Sequence, residues 1–116
     1  MKHYKEYLKH ILDEISFIEK ESEFLTFESF IKNEILKRAF VRSIEIIGEA
    51  VKNIPESITG KYSETEWKNI ARSRDKLIHH YFGIDYYLIW DIVKKHIPKL
   101  KVDVNDILKN EKDENG

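Results

Sequence analysis

Between Thr26 and Asn53 the chain places apolar residues on more than one helical stripe, and this limits the possible folds more than any other feature. Phe27, Phe30, Ile31, Ile35, Leu36, Ala39, Phe40, Val41, Ile44, Ile46, Ile47, Ala50 and Val51 recur at spacings that keep side chains on helical faces. A surface helix needs only one such stripe. This one must be central to a bundle or be covered again by a second molecule. A four-helix domain of 116 residues has no position enclosed on every side, so both are expected. The simplest second cover is a two-fold homodimer. Thr26 is the expected N-cap, and Ile54-Pro55 the stop. Arg38, Arg42, Glu45 and Glu49 leave a narrow polar seam. Gly48 costs a helix roughly 1 kcal/mol against Ala, so its expected use is the close approach of another helix.

Three further helices are expected around it. Residues 2 to 23 carry one stripe, Tyr4, Leu8, Ile11, Ile15 and Ile18, as in a half-buried helix. After a connector from Pro55 to Tyr62, Ser63-Glu-Thr-Glu66 reads as a capping box opening a third helix at about Glu64. Gly83 is a natural residue to follow that helix, and Asp85 to cap the next. So short a turn makes these two helices antiparallel neighbours. The last helix carries Tyr86, Ile89, Trp90, Val93, Ile97, Leu100, Val104, Ile107 and Leu108, with a kink expected at Pro98. The reading is an all-α, antiparallel four-helix bundle over residues 1–110, followed by a charged tail, 111–116, expected to fray.

Composition removes several classes. There is no cysteine, hence no disulfide framework and no thiolate zinc site. No apolar run approaches the roughly 18 residues a membrane span requires, and Met1-Lys-His-Tyr-Lys-Glu6 does not open a signal peptide. A cytoplasmic setting is expected. The net charge is −1, but residues 61–101 hold nine Lys/Arg against five Asp/Glu. That segment suits phosphates, although charges on solvated faces are the simpler explanation.

Inside it lies Asn69-Ile-Ala-Arg-Ser-Arg-Asp-Lys-Leu-Ile-His-His-Tyr-Phe82. As a helix it has an apolar stripe of Trp67, Ile70, Ala71, Leu77, Ile78 and Tyr81, with Arg74 in its middle. A permanent charge there needs a partner or a purpose. Lys68, Arg72, Asp75 and His79 share a second face, with Asp75 one turn from His79. Neither the histidines 79, 80 and 96 nor any other set has metal-ligand spacing, and no Gly-rich phosphate loop appears. No metal and no cofactor are expected.

Arg74-Asp-Lys-Leu-Ile-His79-His-Tyr81 fits Arg-x4-His-x-Tyr. The segment resembles the HEPN domains, in particular the HepT-like toxins of MNT/HepT toxin–antitoxin systems. Arg38-Ala-Phe-Val-Arg-Ser-Ile-Glu-Ile-Ile-Gly-Glu-Ala50 looks like the second helix of that family, and Tyr81-Phe-Gly-Ile-Asp-Tyr-Tyr-Leu-Ile-Trp90 like the turn into its fourth. The resemblance implies a four-helix bundle that dimerises so that two motifs face one cleft. It implies a metal-independent endoribonuclease, with Arg74 and His79 catalytic and Asp75 beside them. It also implies Tyr81 as acceptor of AMP groups added by a partner, the minimal nucleotidyltransferase antitoxin, which would repel RNA from the cleft.

The chemistry is reasonable without the family. RNA can be cut without metal when its 2′-hydroxyl attacks the adjacent phosphate. A histidine, with an unperturbed pKa of about 6.5, can exchange the protons. An arginine fork can meet the charge developing on phosphorus. On one helix Arg74 and His79 point roughly 140° apart, which a dimer cleft would resolve. Arg72 shares a face with His79 and is kept as an auxiliary phosphate contact. The competing readings are a non-catalytic helical module that binds a nucleotidyltransferase or a nucleotide, and a plain dimeric scaffold.

Overall fold

The computed structural model describes residues 3–78 and 83–111. Its regular elements are helical throughout the described residues. They are α1 (Tyr4–Ser22), α2 (Phe27–Lys32), α3 (Glu34–Lys52), α4 (Glu56–Thr59), α5 (Trp67–Ile78), α6 (Tyr86–Asp91), a π-helical stretch (Ile92–His96) and α7 (Ile97–Asn110). Helix α3 is the hub. It packs on α1, α2, α5 and α6, while α7 closes on α1.

The expected stripes became the core. Leu8, Ile11, Ile15 and Ile18 of α1 are fully buried, as are Val104 and Ile107 of α7. From the central segment, Phe30, Phe40, Val41, Ile44, Ile47, Ala50 and Val51 all turn inward. Phe30 stacks on Phe40 at 5.4 Å and on Trp90 at 5.2 Å. Such pairs contribute about 0.5–1.5 kcal/mol beyond their burial. Most of the surplus apolar surface on this segment is therefore absorbed within one chain. Ile35 is the clear exception, 80% exposed.

Two local expectations were corrected. The helix expected to run unbroken from Thr26 to Asn53 is divided at Asn33, whose backbone is extended. Asn33 donates its N–H to the Phe30 carbonyl at 3.0 Å, and its Oδ1 accepts from the Leu36 N–H at 3.0 Å. One short amide side chain thereby starts α3 just as α2 stops, because Asn competes with the backbone for local bonds. The apolar phase continues across the break, so periodicity hides it. Thr26 does cap α2, in a box with Ser29.

The helix expected from Glu64 begins instead at Trp67, and the proposed Ser63–Glu66 box does not form. Other bonds fix this segment. The Thr65 hydroxyl donates to Asp103 at 2.9 Å, and the Trp67 indole N–H to the Tyr62 carbonyl at 3.0 Å. The connector before it also contains a helical turn, α4.

At the far end, Asn110 is still helical, and the Glu111 carboxylate accepts from Lys61 at 2.6 Å and from the Tyr62 hydroxyl at 2.7 Å. The chain is thus tied down one residue past α7. Ahead of Pro98 the backbone widens into π turns, with the Ile97 N–H reaching the Ile92 carbonyl. Pro98 has no N–H to give and its ring crowds the preceding turn, so the ladder is rearranged there. Asp85 caps α6 as expected, accepting from the N–H groups of Tyr87 and Leu88. Gly83 has φ +110°, which side-chain-bearing residues rarely adopt.

Candidate functional site

Helix α5 carries Arg72, Arg74 and Asp75, the first part of the motif segment, and lies along α3. Gly48 makes this possible. A Cβ on Gly48 would fall 2.4 Å from the Arg74 Cβ and 3.4 Å from the Ile70 carbonyl oxygen. The missing side chain of α3 is where Arg74 enters, so the glycine expected to admit a neighbouring helix admits the motif arginine.

Arg74 is then met by charge. Its Nε lies 3.5 Å from the Glu49 carboxylate, and its Nη1 donates to Asp75 at 3.3 Å. Asp75 in turn accepts from the Lys52 ammonium at 2.8 Å. Two cations and two anions therefore alternate across the α3–α5 seam, in the order Glu49, Arg74, Asp75, Lys52. The Arg74 side chain keeps 29% of its surface exposed. No partner is recorded for Nη2 among the described residues. The Lys52 hydrogen bond first, and the Arg74 bond behind it, hold the Asp75 carboxyl below its usual range, against an opposing push from burial.

Arg74 opens onto a cleft of about 220 Å³ with Tyr7 and His10 of α1 and Arg42, Glu45 and Glu49 of α3. Arg72 turns the other way. It borders a cavity of about 320 Å³ with an apolar floor, including Ile44, Ile47 and Ile92, and with Lys76 and His96 also in its lining. Arg72 and Lys76 are exposed, and no partner is recorded for either among the described residues. The two arginines of the motif helix thus serve different walls of the molecule.

Of the site residues expected from sequence, Arg74 and Asp75 are brought together and Arg72 is kept apart from them. The expected common face of Arg72 and Asp75 is not how they are used, since Asp75 reaches α3. His79 and Tyr81 lie outside the described residues, as does His80. Sequence reading missed Glu49 and Lys52 as members of the site. Glu49 was legible only as part of a polar seam, and nothing in its spacing named a partner on another helix. Among the described residues no group of three or more His, Asp or Glu side chains converges as metal ligands would. No helix of the described residues is long and apolar enough to cross a membrane.

These features define an all-helical domain with a seated, partly exposed arginine at a charged helix–helix seam. The sequence profile of the HepT-like family, described as "Ribonuclease HepT-like", matches residues 11–107, and the chain belongs to that family. It is 51% identical over 112 residues to "Putative RNase TTE0752" of Caldanaerobacter subterraneus subsp. tengcongensis, covering 97% of this chain and 100% of that one. It is 45% identical over 104 residues to "Putative RNase MJ0127" of Methanocaldococcus jannaschii, covering 90% and 86%. It is 44% identical over 98 residues to "Probable ribonuclease HepT" of Thermococcus cleftensis, covering 84% and 89%. No solved structure gives a significant match.

Proposed function

We propose that this protein is a metal-independent endoribonuclease, the toxin of a toxin–antitoxin pair, acting in the cytoplasm on tRNA or mRNA. The observation that carries the reading is Arg74. It is a permanent cation seated against α3 by Gly48 and held by two carboxylates, with one edge left over. A core helix stripe does not tolerate such a residue without a use for it. Membership of a ribonuclease family and relatives named as RNases support the same reading.

In this mechanism the RNA 2′-hydroxyl gives its proton to a base and attacks the adjacent phosphorus. The 5′-oxygen leaves with a proton returned to it, and a 2′,3′-cyclic phosphate remains. His79 is the proposed proton carrier, and Arg74 the fixed charge against the phosphoryl oxygens. Asp75 anchors Arg74, and Arg72 contacts a neighbouring phosphate. On one continuous helix Arg74 and His79 would point roughly 140° apart. A homodimer of four-helix bundles, with the two motif helices facing one cleft, would bring an arginine and a histidine from different copies to one phosphate. Tyr81 is the proposed acceptor for AMP from a partner nucleotidyltransferase, whose phosphates would compete with RNA for these cations.

The test is cleavage of total tRNA in EDTA by the purified protein, beside Arg74→Ala and His79→Ala. Cleavage by the wild type alone is expected. Equal cleavage by either variant overturns the assignment of that residue. A second reading draws on the same seam. Glu49 and Asp75 already balance the charge on Arg74 within one chain, as would suit a non-catalytic module that binds a nucleotidyltransferase. A stable complex with such a partner and no cleavage by the wild type would favour it.

A further inference from the structure

We infer that Glu49 is a positioning residue for Arg74, and that α3 aims the motif arginine at its substrate phosphate. This rests on the ribonuclease reading of Arg74. Three residues of α3 act on the motif helix within one turn: Gly48, Glu49 and Lys52. Gly48 lets the Arg74 Cβ come closer than any side chain would permit. Glu49 approaches Nε at 3.5 Å, and Lys52 fixes Asp75, which takes Nη1.

A guanidinium has five N–H donors in a planar fork. The Glu49 and Asp75 carboxylates meet it at different nitrogens, by an ion-pair approach at Nε and a hydrogen bond at Nη1, and together they restrict how the fork can turn. The remaining nitrogen, Nη2, is without a recorded partner among the described residues, and the side chain opens onto the cleft beside Glu49. An arginine used only to balance charge would need one carboxylate. The second carboxylate makes sense as an aiming device, because a flexible four-torsion side chain loses much of its transition-state contribution when it wanders.

Glu49 is well placed for a clean test, since its side chain is 57% exposed and its loss still leaves Arg74 paired with Asp75.

The experiment measures kcat and KM for cleavage of an oligoribonucleotide by the full chain. It compares wild type, Glu49→Gln, Glu49→Asp, Arg74→Lys and the Glu49→Gln/Arg74→Lys double variant. Glu49→Gln is expected to lower kcat about 10-fold with KM changed less than about 2-fold. Glu49→Asp should recover part of the loss. In the Arg74→Lys background, where there is no fork to orient, Glu49→Gln should cost less than about 2-fold, because the two changes disable one device. A purely structural role would give equal losses in both backgrounds and a lowered Tm. Full activity of Glu49→Gln together with a crippled Arg74→Lys overturns the inference and leaves the ribonuclease reading intact. Full activity of Arg74→Lys overturns the catalytic assignment of Arg74 and with it the inference, while the ribonuclease activity itself stands.

Discussion

Arg72 and Arg74 sit two residues apart on α5 and meet opposite surroundings. Arg74 is pressed into a notch of α3 and held by Glu49 and Asp75, while Arg72 stands exposed at the edge of an apolar cavity. The residue type is the same, and both belong to α5. The difference teaches that two arginines on one helix can be told apart by what restrains them. A free arginine supplies charge, and a restrained one supplies charge at a defined point, which is what lowers a barrier. Seam and cavity also differ in how they are built. The seam depends on a residue with no side chain at all, Gly48.

The comparison can be broken most sharply by removing each arginine in turn. Arg74→Ala should reduce kcat/KM for RNA by about 10²–10³-fold, the usual range for one preorganised donor. Arg72→Ala should reduce it by less than about 10-fold, mostly through KM and with a shallower salt dependence, as for a lone phosphate contact. Steady-state cleavage at two salt concentrations separates the two. Equal losses would show that the two arginines are equivalent.

Next in size is Gly48→Ala. Ala favours a helix by about 1 kcal/mol over Gly. Against that, its methyl would sit 2.4 Å from the Arg74 Cβ, an atom rigidly joined to the α5 backbone. The helices must part, and overpacking of this kind costs about 1–3 kcal/mol. The net expectation is a lower urea midpoint together with reduced cleavage, since Arg74 moves with α5. A more stable and fully active Gly48→Ala would show that the notch is unimportant.

The smallest effects belong to the Lys52–Asp75 pair, whose side chains are 37% and 44% exposed. Lys52→Gln should lower the Tm slightly near neutral pH, and less in high salt. The pH dependence follows from Asp75, whose pKa is lowered in the folded protein. A lowered folded pKa stabilises above the unfolded value of 3.8, and that stability fades as pH falls through the folded value. The Tm difference between wild type and Asp75→Asn should therefore be present at pH 7 and shrink below about pH 4. A constant difference down to pH 2 would show that the charge of Asp75 contributes nothing to the seam.

Much of the fold was legible because burial follows helical phase. The stripes of α1 and α7 entered the core as read, since a residue's position on a helix face is a purely local property. Thr26 and Asp85 were legible as caps for the same reason, each acting on N–H groups two or three residues ahead. Asn33 was not legible, because the apolar phase runs unbroken across it and only the backbone reveals the extended residue. The start of α5 was misplaced because the hydroxyl of Thr65 is bonded to Asp103, far along the chain on α7, which local spacing does not reveal.

The sequence by itself determined where most of the helices lie, which faces are apolar, the Arg-x4-His-x-Tyr motif and the family that motif indicates. Only the tertiary structure decided which arginine is seated, that Glu49 and Lys52 belong with Asp75, and that Gly48 is the notch. The physical reason is range. Helical phase records which residues share a face, whereas the partner that face meets is chosen by the packing of α3 against α5, through contacts between residues far apart in the chain.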